Sequence, residues 1–558
     1  MPSGSFTMIG VIADIAERDV VREFFELFKT PWEFHRGHGH YDVVLCSGSG
    51  RFDGSAKLVV VYAATRTIFD DDRKIQTGRQ RSHASILSYR ENRIPIYGNS
   101  ISFPQAQDSC LTDEDSREAI AHRDQFEEME VCRIGYDLFE EVRRLLTVGQ
   151  SAANAGIPTL ELHIALLRDL ITGAGITVVE IPPAPEGYSC IVCLTHDVDH
   201  PSIRQHNWDY TTFGFLYRAV FGSLRTLLRG RISVRDLVTN WGAAFRLPLV
   251  YLGLAKDFWR DFDDRYLELE NGLPSTFFVI PFRDRAGKNA AGAQAKLRAA
   301  GYAAQDVADA LQKLQNAGCE IGLHGIDAWL DSSAGRQELD EIRRLTGGSE
   351  IGVRMHWLYY DQQSPVTLEK AGATYDSSIG YNETFGYRAG ATQPYKPLNA
   401  AQLLELPLHV MDTALFYPAY LDLSPDQARA VLHHMTENAV QFGGCFTINW
   451  HDRSTAPERL WKGPYRDLID GLKSRGAWFA TAGQAVSWFR KRRSVAFETG
   501  APEANVVGAR VALDPYENLP GLRLRIYRAL RLDDIDGCDS KEYFDVALKQ
   551  SMENQVFC

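Results

Sequence analysis

The chain has little that would tie it to nucleic acid, export or a bilayer. Its 558 residues carry a formal net charge of -12, so the broad basic footprint of a general nucleic-acid binder is missing. The opening residues hold no basic n-region, and Asp14 interrupts their short apolar run, a poor match to a secretion signal. No stretch approaches the roughly 20 apolar residues needed to cross a membrane. Nine cysteines, scattered from Cys46 to Cys558, do not resemble the paired framework of a small secreted domain. Internal repeats and low-complexity tracts are absent, and Gly48-Ser-Gly50 lacks the Lys-Ser/Thr ending of a phosphate loop. Together these absences predict a cytoplasmic protein in a reducing compartment, with no nucleic-acid partner.

What is present is ordinary globular composition, 45% hydrophobic and 24% charged, in a chain long enough for two to four domains at roughly 100–200 residues each. In residues 1–185, short apolar runs at 8–13, 41–46 and 58–63 alternate with helical patterns at 20–28, 136–147 and 157–170, which predicts an α/β domain. The stiff run Ile181-Pro-Pro-Ala-Pro-Glu-Gly187 marks a boundary. From 189 to 493 seven apolar segments read as strands: 190–199, 275–282, 320–324, 351–358, 374–379, 403–410 and 445–452. Helical stretches such as 305–317 and 425–442 lie between most of them, which predicts a parallel barrel or a doubly wound sheet. The tail, 494–558, reads as a short β-containing appendage with extended segments at 509–513 and 522–527.

In a parallel α/β fold, chemistry collects at the C-terminal ends of the strands. The first barrel strand ends Thr195-His-Asp197-Val-Asp199-His200-Pro. Alternation puts Asp197 and Asp199 on one face, and two adjacent carboxylates repel unless a cation or a proton lies between them. The third strand ends in His324, the fourth carries Arg354 and His356 on one face, and the seventh ends Asn449-Trp-His451-Asp452. Four strand ends bearing His or Asp point to a metal or acid–base site.

These segments resemble the polysaccharide deacetylase family (NodB homology, carbohydrate esterase family 4), over about residues 189–493. Thr195-His-Asp-Val-Asp199 is similar to its first motif, in a variant with one residue between the aspartates. Ser275-Thr-Phe-Phe-Val279 is similar to the second-strand signature, Glu320-Ile-Gly-Leu-His324-Gly to the second motif, and Thr447-Ile-Asn-Trp-His451 to the terminal histidine motif. The resemblance implies a distorted (β/α)7 barrel holding one divalent metal, Zn2+ first, with Co2+, Ni2+, Mn2+ or Fe2+ as alternatives. It implies Asp197 as general base, His451 as general acid, and Asp199 and His324 as metal ligands. Arg354 or Arg388 would orient the base. The reaction implied is removal of an N-acetyl group from an amino sugar of a surface polysaccharide or its precursor.

One departure matters: the family's second histidine, four residues after the first, is Ala328 here. His356 is the expected third ligand, with Asp327 and His200 as rivals. Trp357, Tyr359, Tyr381, Tyr387 and Trp450 are candidate sugar platforms. Between Phe215 and Leu237, apolar residues mix with arginines, a pattern that either contacts an anionic membrane or caps the barrel with its arginines in water. Two other functions stay open: opening of a cyclic amide on the same barrel, and a degenerate barrel that binds glycan or assembly partners.

Overall fold

The buried strands form where continuous apolar runs allow no solvent face. The computed structural model describes residues 8–499 apart from 38, 49, 51, 107, 108, 127, 207 and 208, and beyond 499 residues 506–511, 518–528, 543–548 and 555–557. It divides into two compact units.

The first unit comprises residues up to Glu186, the short Ala389–Ala391 segment, and the chain from Ser487 onward. Its main sheet has six strands in the order 121–126, 129–134, 58–62, 43–47, 9–12, 32–34. Every pairing is parallel except the hairpin between Ala121–Phe126 and Met129–Ile134. The all-buried runs Val43–Ser47 and Leu58–Tyr62 lie in its middle. Helix Leu138–Thr147 is started by Asp137, which accepts the backbone N–H groups of Phe139 and Glu140. Leu522–Tyr527 pairs with Val178–Glu180, so the described part of the tail folds with this unit. The segment expected at 509–513 is the strand Val506–Val511; positions 512 and 513 lie outside the described residues.

The second unit is Gly187–Arg388 with Thr392–Val486. Its sheet is a curled, open α/β barrel built from β1 (Ile191–Val198), β2 (Ser275–Val279), β3 (Glu320–Gly325), β4 (Val353–Met355), β5 (Tyr375–Asp376), β6 (Leu404–Glu405), β7 (Val410–Met411), β8 (Cys445–Asn449) and β9 (Trp478–Phe479). The spatial order is β6-β5-β4-β3-β2-β1-β8-β7, with β9 against the start of β1, and all pairings are parallel. The single strand expected at 403–410 is two short ones. Pro407, between them, has no N–H to give a ladder. The 404–411 segment still reaches both sheet edges: Leu406 bonds to Asp376 in β5, and His409 to Thr447 in β8.

Helices cover the outside. The longest matching sequence pattern, Pro425–Phe442, starts on a Ser424–Gln427 capping box with Pro at its first position and stops at Gly443, as capping chemistry predicts. Cys190 and Cys193 lie within or beside β1 and are buried, and Cys193 Sγ lies 3.3 Å from Cys445 Sγ in β8. The Cys-x-x-Cys spacing is therefore core packing rather than a chelate.

Candidate metal and acid–base site

The C-terminal ends of β1, β3, β4 and β8 meet at a cavity of about 350 Å3 lined by Asp197, Asp199, His324, His356 and His451 among others. Asp197 is the penultimate residue of β1 and Asp199 follows its end. One ligand atom each from Asp199, His324 and His356 lies within 4.8 Å of the others. His324 Nε2 is 3.3 Å, and His356 Nε2 3.6 Å, from Asp199 Oδ1.

His324 is oriented by its other ring nitrogen: Nδ1 lies 3.0 Å from the Arg354 carbonyl oxygen on the neighbouring strand. That contact leaves Nε2 facing the cavity, the arrangement metal-binding imidazoles use. His356 sits just beyond β4 rather than on it. Trp357 and Leu358 take positive φ of 63° and 53°, and the strand ends at Met355, short of the end that the 351–358 pattern suggested. The turn is fixed from below by Arg298, whose Nε donates to the His356 carbonyl at 3.0 Å and whose guanidinium lies over the Tyr359 ring.

The donor set suits a divalent cation. Asp199 Oδ1 is buried and has no hydrogen-bond partner among the described residues, a costly state unless something positive faces it. Burial opposes ionisation of Asp199, but the attraction of His356, His324 and His451 outweighs it and holds the carboxyl well below its usual range. Burial pushes His356 well down, towards the neutral form a ligand needs. Two imidazoles and a carboxylate are a borderline-soft set that accommodates Zn2+ and its first-row neighbours. The two rivals are engaged elsewhere. Asp327 Oδ1 accepts the Lys288 N–H at 2.8 Å, and His200 Nδ1 is 3.0 Å from His206 Nε2.

Asp197 is held differently. Arg354 Nη1 lies 3.1 Å from its Oδ1, and Asn449 Nδ2 donates to its Oδ2 at 2.8 Å. Arg354 is fully buried and further bonded to Thr195 Oγ1 at 2.7 Å and Ser377 Oγ at 2.9 Å. Arg388, the other candidate for this task, is not brought to Asp197: its Nη1 donates to the Gly380 carbonyl at 2.9 Å.

His451, in the loop after β8, points Nε2 towards Asp199 Oδ2 at 3.8 Å. Its Nδ1 lies 2.6 Å from Asp412 Oδ1, while its backbone N–H donates to Asp412 Oδ2 at 2.7 Å. Burial works against a charged ring, yet the Asp412 carboxylate, with Asp199 and Asp197 behind it, raises His451 to about 10. Asp412 and Asn449 escaped the sequence reading. Asn449 stood inside a quoted motif without a role. Asp412 follows directly on β7, so the strand-end rule could have found it.

Of the aromatic candidates, Trp357 and Tyr359 line the cavity. Trp450 is fully buried and stacks on Tyr465, and Tyr387 and Tyr381 are buried too; these three are core rather than exposed platforms.

No family model matches the sequence, and no curated protein matches it. Solved structures are similar to it. One from Mycobacterium smegmatis, assigned as a polysaccharide deacetylase, is 19% identical and covers 58% of this chain and 99% of its own, with a TM-score of 0.36. A carbohydrate deacetylase is 10% identical over 94% of this chain and 92% of its own, TM-score 0.35. An allantoinase is 14% identical over 55% of this chain and 91% of its own, TM-score 0.31. Likeness at this level says nothing of chemistry, which rests on the side chains themselves.

Proposed function

We propose that the second unit is a metal-dependent hydrolase that removes an N-acyl group, acetyl first, from an amino sugar of a surface polysaccharide or its precursor. The observation that carries this is the juxtaposition of Asp199, His324 and His356 with two differently held acid–base groups, Asp197 and His451. The motif resemblance noted above points the same way.

Asp199, His324 and His356 would hold the cation. When bound, a divalent metal supplies polarisation of the amide carbonyl and acidification of water at neutral pH. Asp197 accepts a proton from the water that attacks the acyl carbon. Arg354 and Asn449 each bond one of its oxygens and hold the carboxylate in aim, and their burial makes that orientation rigid. His451 carries a proton at Nε2 and gives it to the departing nitrogen as the C–N bond breaks. Asp412 fixes the ring's tautomer and favours its protonated form, the role a carboxylate plays behind a catalytic imidazole. Water adds across the bond, and a carboxylic acid and a free amine leave.

The test is acetate release from N-acetylated oligosaccharides by protein reconstituted with Zn2+ or Co2+. Wild type releases acetate, and Asp197→Asn and His451→Ala each lose about 10²–10⁴ of the rate. Release by none of the reconstituted forms, or an Asp197→Asn variant as fast as wild type, would sink the proposal.

A further inference from the structure

The part of the cavity lining that follows β8 carries charge that the proposed hydrolysis does not use. Arg453, in the turn after β8, is 8% exposed, and Arg459, a few residues on, is 7% exposed. Both line the cavity with Asp199 and His451. Arg453 Nη1, Arg459 Nε and Arg218 Nε are all buried without a hydrogen-bond partner. Arg459 has one bond, from Nη2 to the Tyr417 hydroxyl, and Arg453 lies over the Trp259 ring. The nearby carboxylates are partly committed: Glu458 Oε1 accepts from Trp259 Nε1 at 3.0 Å, and Asp452 Oδ2 accepts the His200 N–H at 2.8 Å.

Packing three guanidinium groups together with donors unmade is unfavourable twice over, through desolvation and through repulsion. The strain shows in their neighbours. Burial and the charges of Arg459 and Arg453 bring Arg218 down to about 10. Burial opposes ionisation of the Tyr417 phenol, but the three arginines outweigh it and make the group more acidic than usual. A bound oxyanion relieves all of this, because guanidinium forks match carboxylate and phosphate geometry.

We propose that Arg453 and Arg459 form an oxyanion subsite that holds a carboxylate or phosphate group of the substrate beside the scissile amide. The word substrate rests on the hydrolase reading; the anion site does not. On this proposal the sugar acted on is acidic, an amino uronate or a phosphorylated amino sugar, and neutral chains lack the group the subsite is built for.

The experiment is calorimetric titration of the full chain with sodium phosphate and with sodium glucuronate, against sodium chloride at matched ionic strength. At least one anion binds wild type in preference to chloride, and the one that does distinguishes phosphate from carboxylate. The titration is made without added metal and measures no turnover, so a failed hydrolase reading leaves the site standing. Arg453→Gln binds it roughly tenfold or more weakly, while its melting temperature stays level or rises because an unpaired buried charge has gone. Absence of binding by both anions, or undiminished binding by Arg453→Gln, overturns the subsite. So does a large fall in melting temperature, which would make Arg453 structural.

The helices between β1 and β2 reverse the usual amphipathic pattern. Tyr210–Tyr217, a π turn over Arg218–Gly222 and Ser223–Leu228 run on without a break, and Val234–Tyr251 follows. Each buries one face, through Phe215, Ala219 and Ser223 on the first and Ala243, Leu247 and Val250 on the second. The solvent side of a surface helix is normally polar. Here it repeats Tyr210, Phe213, Tyr217, Phe221, Leu224 and Leu228 at spacings of three and four. The second helix repeats Val234, Val238, Trp241, Phe245 and Leu249, and Leu252 just past its end continues the pattern. Phe221 is 68%, Leu228 80% and Phe245 79% exposed. More than half of the large apolar side chains exposed among the described residues fall in this one segment. Arg225, Arg229, Arg235 and Arg246 are exposed beside them, and the sole acid from 210 to 254 is Asp236, which caps its own helix.

We infer that this face docks on an anionic lipid bilayer. Apolar side chains rimmed by exposed arginines, of which Arg229 alone among these four faces an acid, Asp422 at 3.6 Å, are complementary to a negatively charged interface. Two copies of the face would instead bring like charges together. The full chain is centrifuged with phosphatidylcholine vesicles with and without phosphatidylglycerol. It pellets with the anionic vesicles, less so at high salt, and the double variant Phe221→Ser, Phe245→Ser binds roughly tenfold or more weakly. Failure to pellet with either vesicle overturns the inference, as does a dimer in sedimentation velocity that the same double variant abolishes.

Discussion

His451 Nδ1 lies 2.6 Å from Asp412 Oδ1, and that contact turns a histidine at a barrel rim into a persistent acid. A group with a raised folded pKa contributes stability that is full below its unfolded value and is lost as pH rises through the folded one. For His451 that window runs from 6.5 up to about 10. In Asp412→Asn the imidazole loses its proton earlier, so the alkaline limb of the kcat/KM profile lies at lower pH than in wild type. The rate at neutral pH falls about 10²–10⁴-fold. A pH–rate series on the two proteins checks this.

The third ligand can be assigned by thermal denaturation with and without Zn2+. Cation binding to the folded state raises the melting temperature of wild type. His356→Ala loses that rise, while His200→Ala and Asp327→Ala keep it. Retention of the full rise by His356→Ala would transfer the role to another side chain.

Arg354 and Asp197 are a buried pair, and removing the cation leaves the anion uncompensated. Arg354→Met is expected to cost about 3–5 kcal/mol in urea unfolding. Adding Asp197→Asn to it recovers part of the loss, because the two sites are in contact and their effects do not add.

Glu338 is a buried carboxyl that accepts the backbone N–H groups of Ile326 and Asp327, each at 2.8 Å, just beyond His324. Burial, outweighing those bonds, pushes it from 4.5 up to about 7. The folded state therefore binds this proton more tightly than the unfolded one, and its contribution to stability drains away as pH rises from about 4.5 to about 7. Unfolding free energies measured across that range should fall less steeply for Glu338→Gln than for wild type.

The barrel's strands were legible because a strand buried on both faces is a continuous apolar run, as in 190–199 and 445–452, and because ligand-type residues cluster where such runs end. The limits have physical causes too. Pro407 splits one expected strand, and the positive φ of Trp357 and Leu358 places His356 on a turn. Arg388 and Arg354 are indistinguishable as residue types; the pairing of β4 with β3, and Thr195 on the facing strand, put Arg354 at Asp197. Asp412 reaches His451 across 39 residues, a contact that no local pattern encodes. Arg453 reads as a surface arginine until the barrel buries it.

The central claim is that Asp199, His324 and His356 share one cation. Anomalous diffraction at the zinc edge, from crystals grown with Zn2+, tests it most directly. The account predicts one strong peak in the barrel cavity, about 2.0–2.2 Å from an Asp199 carboxylate oxygen and from Nε2 of both histidines. A cavity without a peak, or a peak held by other side chains, would contradict it.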